Sequence, residues 1–374
     1  MAIKFTSDKS TLLSLITPAM YASSNKSTLP ALEGLLFTLK GSTLTVGGYD
    51  LEKGIKAEST VFGREDGKVV LNSVKISGII KNLPEGDIFF ECDEKNTVSI
   101  SAGESRFALH GIDSSVFPSI PELMGENTTK IKADVLRDLI TSTNHAVATT
   151  DSRPVFMGEQ FRIENGDLTI VAADYCRMAV KSAKGCVTSE KEQNTFVVPG
   201  KTLNDLIRLS ADVEDDIEMQ FTRKYVIFRI DNVMMFSRLL EGEFLDYQTV
   251  IPVSGKTCVT IDRQAFLESV ERASLLVDEK LRTPLRFKFE GDNLIIHCST
   301  QIGKINDVVK IEHTGDDMEI GFNNKYILDA LRACRDDKIQ LIMTSPHMGM
   351  VIRPAEPKED SDYTYLVLPL RLKD

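Results

Sequence analysis

Pro30-Ala31-Leu32-Glu33-Gly34 returns as Pro154-Val155-Phe156-Met157-Gly158, and 154 − 30 sets the two phrases 124 residues apart. At the same offset Phe37 meets Phe161, Leu44 meets Leu168, Thr45 meets Thr169 and Asp50 meets Asp174. Each stretch reads as strand, tight polar turn, strand, because alternating apolar positions such as Phe37/Leu39 and Leu44/Val46 face one side. The turns are Lys40-Gly41-Ser42 and Glu164-Asn165-Gly166. A third copy follows: Phe287, Phe289, Gly291 and Leu294 lie 250 residues beyond Phe37, Leu39, Gly41 and Leu44 (287 − 37).

A helical phrase repeats as well. Lys201-Thr202-Leu203-Asn204-Asp205-Leu206-Ile207-Arg208 matches Lys325 to Arg332 at offset 124, and Val74 to Lys81 is the first counterpart. Ile76/Ile79/Ile80, Leu203/Leu206/Ile207 and Ile327/Ala330/Leu331 form one apolar stripe each, and a basic residue follows each stripe: Lys81, Arg208, Arg332. Opening helices are expected over Ser10 to Met20, Ala133 to His145 and Asp262 to Val277. Three similar units therefore fill the chain, at 1–124, 125–252 and 253–374, each with two helices on antiparallel strands. Helices are too few to cover both faces of a parallel sheet, so the fold class is α+β.

At roughly 150 residues per domain, 374 residues allow two to three domains. The chain is 42% hydrophobic and 26% charged, which excludes a disordered tail. Its 44 Lys+Arg against 55 Asp+Glu give −11, which excludes a generally basic nucleic-acid coat but not a basic stripe on an acidic body. No apolar run reaches the length needed to span a bilayer, Met1 to Lys9 lacks a signal-peptide core, and the six cysteines form no C-x-x-C pair. A cytoplasmic protein with reduced thiols and no membrane partner is expected.

Catalytic motifs do not emerge. Gly200-Lys201-Thr202 and Gly255-Lys256-Thr257 lack the glycine five residues upstream that a phosphate loop needs, since Thr195 and Val250 stand there. The run Asp212 to Asp216 reads as a solvated turn, and five histidines sit far apart. No cofactor or metal is expected. The segment Tyr365 to Leu372 is an apolar strand running almost to the last residue, where a proline signals an edge able to meet another chain.

Nine phrases in order complete the picture: Thr28-Leu29-Pro30, Leu83 to Gly86, Ser105-Arg106-Phe107, Phe117-Pro118, Arg153-Pro154-Val155, Val197 to Lys201, Ser237 to Gly242, Ile320 to Asn323 and Leu368 to Arg371. Together with the threefold period they make the chain resemble, over essentially its whole length, the bacterial replicative sliding clamp, the beta subunit of the DNA polymerase holoenzyme. The resemblance implies a non-enzymatic processivity factor: three clamp domains per subunit and a head-to-tail homodimer closing a ring around double-stranded DNA, without reading its sequence. It also implies a replicative polymerase catalytic subunit, an ATP-dependent clamp loader and other proteins bearing a clamp-binding motif as partners.

Carried over by position, the resemblance implies DNA contacts at Lys26, Lys81, Thr150, Arg153 and Lys201. It implies a partner-peptide pocket at Arg153, Phe156, Ala173, Tyr175, Arg177, Met178, Val250, Leu281, Asn323, Tyr326, His347, Leu366, Val367, Leu368, Pro369, Leu370 and Arg371. Partners of the family insert a short motif with a glutamine and bulky apolar residues. The resemblance also implies a subunit contact in which Phe107 and Leu109 meet Leu275 and Leu276 of the other chain, with Lys75 at the same interface. Two departures stand out: Tyr175-Cys176-Arg177-Met178 replaces the usual glycine or serine, histidine, arginine, leucine, and Leu245 and Thr249 stand where many members have proline and arginine. The competing readings are a hydrolase or transferase using Arg153, Asp174 and Cys176 in a cleft, and a protein-binding scaffold without DNA.

Overall fold

The three copies of the opening hairpin form where the repeat puts them. Gly34–Lys40 pairs with Thr43–Tyr49, Gly158–Glu164 with Asp167–Ala173, and Leu285–Glu290 with Asn293–Thr300, all antiparallel. The turns need left-handed backbone, which Gly41, Asn165-Gly166 and Gly291 supply at positive φ. Phe37, Phe161 and Phe287 all point inward and are buried. Opening helices run over Lys9–Met20, Ala133–Thr143 and Arg263–Ser274, and second helices over Ser73–Asn82, Gly200–Leu209 and Asn324–Ala333. Asp8 and Asp262 cap the first and last opening helices, accepting from Thr11 and Ala265 backbone N–H groups. Hydrogen bonds from Ser10 and Thr11 hold the Asp8 carboxyl down to about 2.

The computed structural model describes residues 3–121, 128–150, 153–188, 193–252, 254–278 and 283–372. Packing divides the chain into two units, Met1–Ala133 with Thr202–Leu239, and Asp134–Lys201 with Leu240–Asp374. The first unit holds a five-stranded sheet, in the order Phe62–Glu65, Ile3–Asp8, Asp87–Cys92, Thr97–Ala102, Ser105–His110. It also holds an eight-stranded sheet in which Val233–Arg238 pairs with Lys53–Thr60. The second unit holds a twelve-stranded sheet in which Arg177–Ala183 pairs with Ser361–Val367. In both units a sheet thus runs on from one repeat into the next, which is why packed units and repeats divide the chain differently.

The cores are aromatic and aliphatic. Phe5, Phe37 and Phe90 stack in the first unit, with ring centroids 4.6 Å and 5.6 Å apart. Phe266, Phe287 and Phe322 form the counterpart in the second. One position breaks the repeat. Where the first and third copies bury Leu35 and Leu285, the second buries Glu159 completely, and burial pushes its carboxyl up to about 8. Thr143 Oγ1 lies 2.6 Å from Glu159 Oε2 and 3.0 Å from the Leu139 carbonyl. One hydroxyl proton cannot serve both acceptors fully, so a neutral carboxyl donating to Thr143 completes the set.

Candidate binding pocket and open sheet edges

Several residues named for the expected pocket on the second and third repeats come together in the second unit around a tight turn. Asp174 Oδ1 accepts from the backbone N–H groups of Cys176 and Arg177 at 2.7 Å and 2.9 Å, turning the chain out of the strand Asp167–Ala173. The turn leaves Tyr175 59% exposed with its ring edge-on to Phe156. Arg177 is fixed from three sides. It donates to Asp174 Oδ2 at 3.1 Å and Asp329 Oδ2 at 2.6 Å, and its guanidinium sits 4.5 Å from the Tyr326 ring centre. Burial, with Cys176 and Asp174 nearby, raises the Tyr326 phenol above its ordinary value. Behind this group His145 packs edge-on to Tyr365, and burial, aided by Arg177, lowers its pKa to about 4. That imidazole is neutral.

Phe156, Ala173, Met178 and Leu366 join Val180, Phe244, Ile342 and Val351 in one apolar cluster. The last strand ends at Val367, short of the expected Leu372, because Pro369 has no N–H to extend a ladder. The chain nevertheless continues as a wall: Leu368 N donates to Cys176 O and Leu370 N to Gly321 O, both at 2.8 Å. A Cβ on Gly321 would stand 2.5 Å from Leu372, so the glycine admits the tail. Leu368 and Val250 remain 40% and 47% exposed. Val250 sits on the short helix Tyr247–Val250, and Tyr247 and Ile251 pack on the cluster.

Asn323 caps the helix Asn324–Ala333 rather than facing outward alone, accepting from Lys325 N. His347 and Arg371 are exposed. Arg153 lines an adjoining cavity of about 570 Å³ with Pro154, Val155 and residues 241–246. Leu281 lies outside the described residues. Residues that motif reading missed are Asp329, Phe244, Ile342 and Val351. The signal for Asp329 was present, since Lys53 and Asp205 lie the same 152 residues apart and also form an ion pair.

Lys26, Lys81, Thr150, Arg153 and Lys201 are all exposed. The other basic residues that follow the apolar stripes are engaged: Arg208 meets Asp205 at 3.5 Å and Tyr21, and Arg332 meets Glu271 at 2.9 Å. Lys75 is exposed on the helix Ser73–Asn82.

Among the strand edges with no neighbour in the described residues, two lie next to the expected subunit contact. Ser105–His110 ends the five-stranded sheet with Phe107 39% exposed and Leu109 packed partly into the core. In Gly303–Thr314 only the stretch from Ile311 onward pairs with Thr257–Asp262, leaving one side of residues 303–310 open. Beside it Leu275 is 81% and Ile302 79% exposed, whereas Leu276 packs partly on the core. Asp307, the acidic residue of this edge, is already bound to Arg272 at 2.6 Å.

Of the three residues named for the competing enzyme reading, Arg153, Asp174 and Cys176, the last two serve the turn through their carboxylate and backbone groups. Among the described residues no group of three His, Cys, Asp or Glu side chains could hold a metal, and no helix is long and apolar enough to cross a membrane.

Comparison with known proteins gives one answer along the whole chain. Family profiles of the N-terminal, central and C-terminal domains of the DNA polymerase III beta subunit match residues 3–121, 130–246 and 248–371. The beta sliding clamps of Staphylococcus epidermidis and Staphylococcus aureus are 30% identical over 99% of this chain and 99% of their own. Among solved structures, the Bacillus subtilis DNA polymerase sliding clamp superimposes with a TM-score of 0.95, at 27% identity and full coverage of both chains. The Pseudomonas aeruginosa clamp gives 0.92 at 27% identity, over 99% of this chain and all of its own. The chain belongs to the DNA polymerase III beta subunit family, the sliding clamps, non-catalytic processivity factors of replication that dimerise and work with DNA and the polymerase.

Proposed function

We propose that two copies of this chain close head to tail into a ring that DNA threads, with repeats 1–124, 125–252 and 253–374 as its domains. The carrying observation is the pair of open strand edges. Inside each unit the fourth strand of one repeat pairs with the closing strand of the next: Ala57 opposite Val233, and Lys181 opposite Tyr363. The hairpin registers Val46–Ala57, Ile170–Lys181 and Ile296–Asp307 make Asp307 the third equivalent, and Ser105, like Val233, is the first residue after its hairpin turn. Asp307 and Ser105 are the equivalent positions that lack a strand partner on that side among the described residues. Pairing them across two chains sets Phe107 opposite Ile305 and gathers Leu109, Leu275, Leu276 and Lys75 around the seam. Like surfaces joined head to tail close when the rotation allows.

This seam has no counterpart of the Lys53–Asp205 and Arg177–Asp329 ion pairs, since Gly303 and Gly78 occupy the equivalent positions. It rests on apolar contacts and backbone hydrogen bonds. Phe107→Asp buries a charge opposite Ile305, and sedimentation is expected to find one chain per particle. Particles of two chains at micromolar concentration would count against the seam.

Exposed Lys26, Lys81, Thr150, Arg153 and Lys201 are read as the DNA-facing groups. A ring that holds DNA by topology needs only weak phosphate contacts, and base-specific ones would stall it. The pocket between Tyr175, Met178 and the 368–371 wall is read as the seat of a polymerase peptide, and by the same motif of other replication and repair proteins. A separate ATP-driven loader opens the ring, and the protein works in the cytoplasm.

A further inference from the structure

The frame of the pocket is built twice. In the first unit Asp50 Oδ1 accepts from Glu52 N at 2.9 Å and Lys53 N at 2.6 Å, the turn that Asp174 makes with Cys176 and Arg177. Lys53 binds Asp205 as Arg177 binds Asp329. Arg238 N donates to Glu52 O at 2.8 Å, as Leu368 N does to Cys176 O. Gly54 lies opposite Phe236 as Met178 lies opposite Leu366. The two frames share the turn, the ion pair across 152 residues, the backbone bond and the strand register.

Their fillings differ. Where the second frame has the small Ala173, the first has Tyr49, 7% exposed and edge-on to Phe236. Where the second has Met178, the first has Gly54, and Ile120 Cγ2 stands 2.7 Å from where a Cβ there would be. Phe117 and Ile120 are each only 7% exposed, and both share one apolar cluster with Ala31, Tyr49 and Phe236. The parallel phrase in the second unit, Tyr247 to Pro252, coils instead into a short helix and leaves Val250, Tyr175 and Leu368 in solvent. Gly54 is thus the residue that makes room for Ile120.

We propose that Phe117-Pro118-Ser119-Ile120 is a built-in ligand: it occupies, in the first frame, the seat that a partner's apolar peptide takes in the second. The chain carries two clamp-type peptide clefts, one open and one closed by its own connector. This rests on the reading of the second frame as the partner pocket. The occupant that would replace the connector is the same class of ligand, a short peptide with two bulky apolar side chains, and local release of residues 117–120 is what admits it.

The test is peptide stoichiometry by calorimetry on the full-length dimer, with a peptide bearing a glutamine and two bulky apolar residues as probe. Wild type is expected to bind one peptide per chain. Tyr49→Ala with Ile120→Ala empties the first cleft and is expected to bind two, and deleting residues 368–374 in that background returns the count to one. Ile120→Ala alone, a smaller cut, is expected to add a weaker second site and serves if the double variant loses its fold. One peptide per chain in a folded, dimeric variant would overturn the proposal. No binding to wild type would instead overturn the reading of the open pocket.

Discussion

A chain cut after Val367 is expected to lose polymerase-peptide binding by at least about a thousandfold while remaining a dimer. The wall it loses is specific: Leu368 and Leu370, tied to Cys176 O and Gly321 O, and Leu372 lying over Gly321. A micromolar complex is held by about 8 kcal/mol, and each apolar side chain fully buried contributes roughly 1.5–3 kcal/mol. Losing two or three such contacts removes most of that affinity. The seam residues Phe107, Leu275 and Leu276 belong to other elements, so the oligomeric state should not follow. Fluorescence anisotropy of a labelled peptide against the truncated chain, with sedimentation beside it, reads both quantities. Unchanged affinity would place the peptide elsewhere.

Glu159 gives the second large effect, on stability. Its folded carboxyl holds a proton up to about 8, against the model-peptide value of 4.5. Between those values the unfolded chain has released the proton and the folded one has not, so stability is full below pH 4.5 and falls as pH rises to about 8. At about 1.4 kcal/mol per unit the loss is on the order of 5 kcal/mol, felt by the second unit. Glu159→Gln keeps a neutral polar partner for Thr143 without the titration, and Glu159→Leu restores the residue type of Leu35 and Leu285. Both variants are expected to raise the urea midpoint at pH 8.5 far more than at pH 5. An equal shift at both pH values would mean that Glu159 is not neutral in the fold.

The legible parts of the fold are those with local periodicity. The stripe Leu203/Leu206/Ile207 and the alternation Phe37/Leu39 say where helices and hairpins lie, because one side of each must be dry. The joining of Lys53–Thr60 to Val233–Arg238 was not legible. Pairing of strands so far apart in sequence is set by the packing of whole repeats rather than by turn residues. In the pocket, resemblance supplied Arg177 but not its anchor Asp329, which sits mid-helix and reads as an ordinary solvated position until Lys53 and Asp205 are seen together. Glu159 hid in the same way: in a strand its alternation with Gln160 looks unremarkable, and only alignment with Leu35 and Leu285 marks it as a buried acid. The tail ended early for a reason that was visible, since Pro369 cannot extend a ladder.

Retention on DNA is the most direct measure of whether this chain holds its duplex by encirclement. The protein is loaded by a clamp loader onto nicked circular DNA, the free protein is removed on a gel-filtration column, and half of the sample is then linearised with a restriction enzyme. Encirclement predicts that the clamp stays with the circle and is lost from the linear form, with both results little changed by moderate salt. Equal retention on circular and linear DNA, or retention that salt abolishes on both, would contradict it.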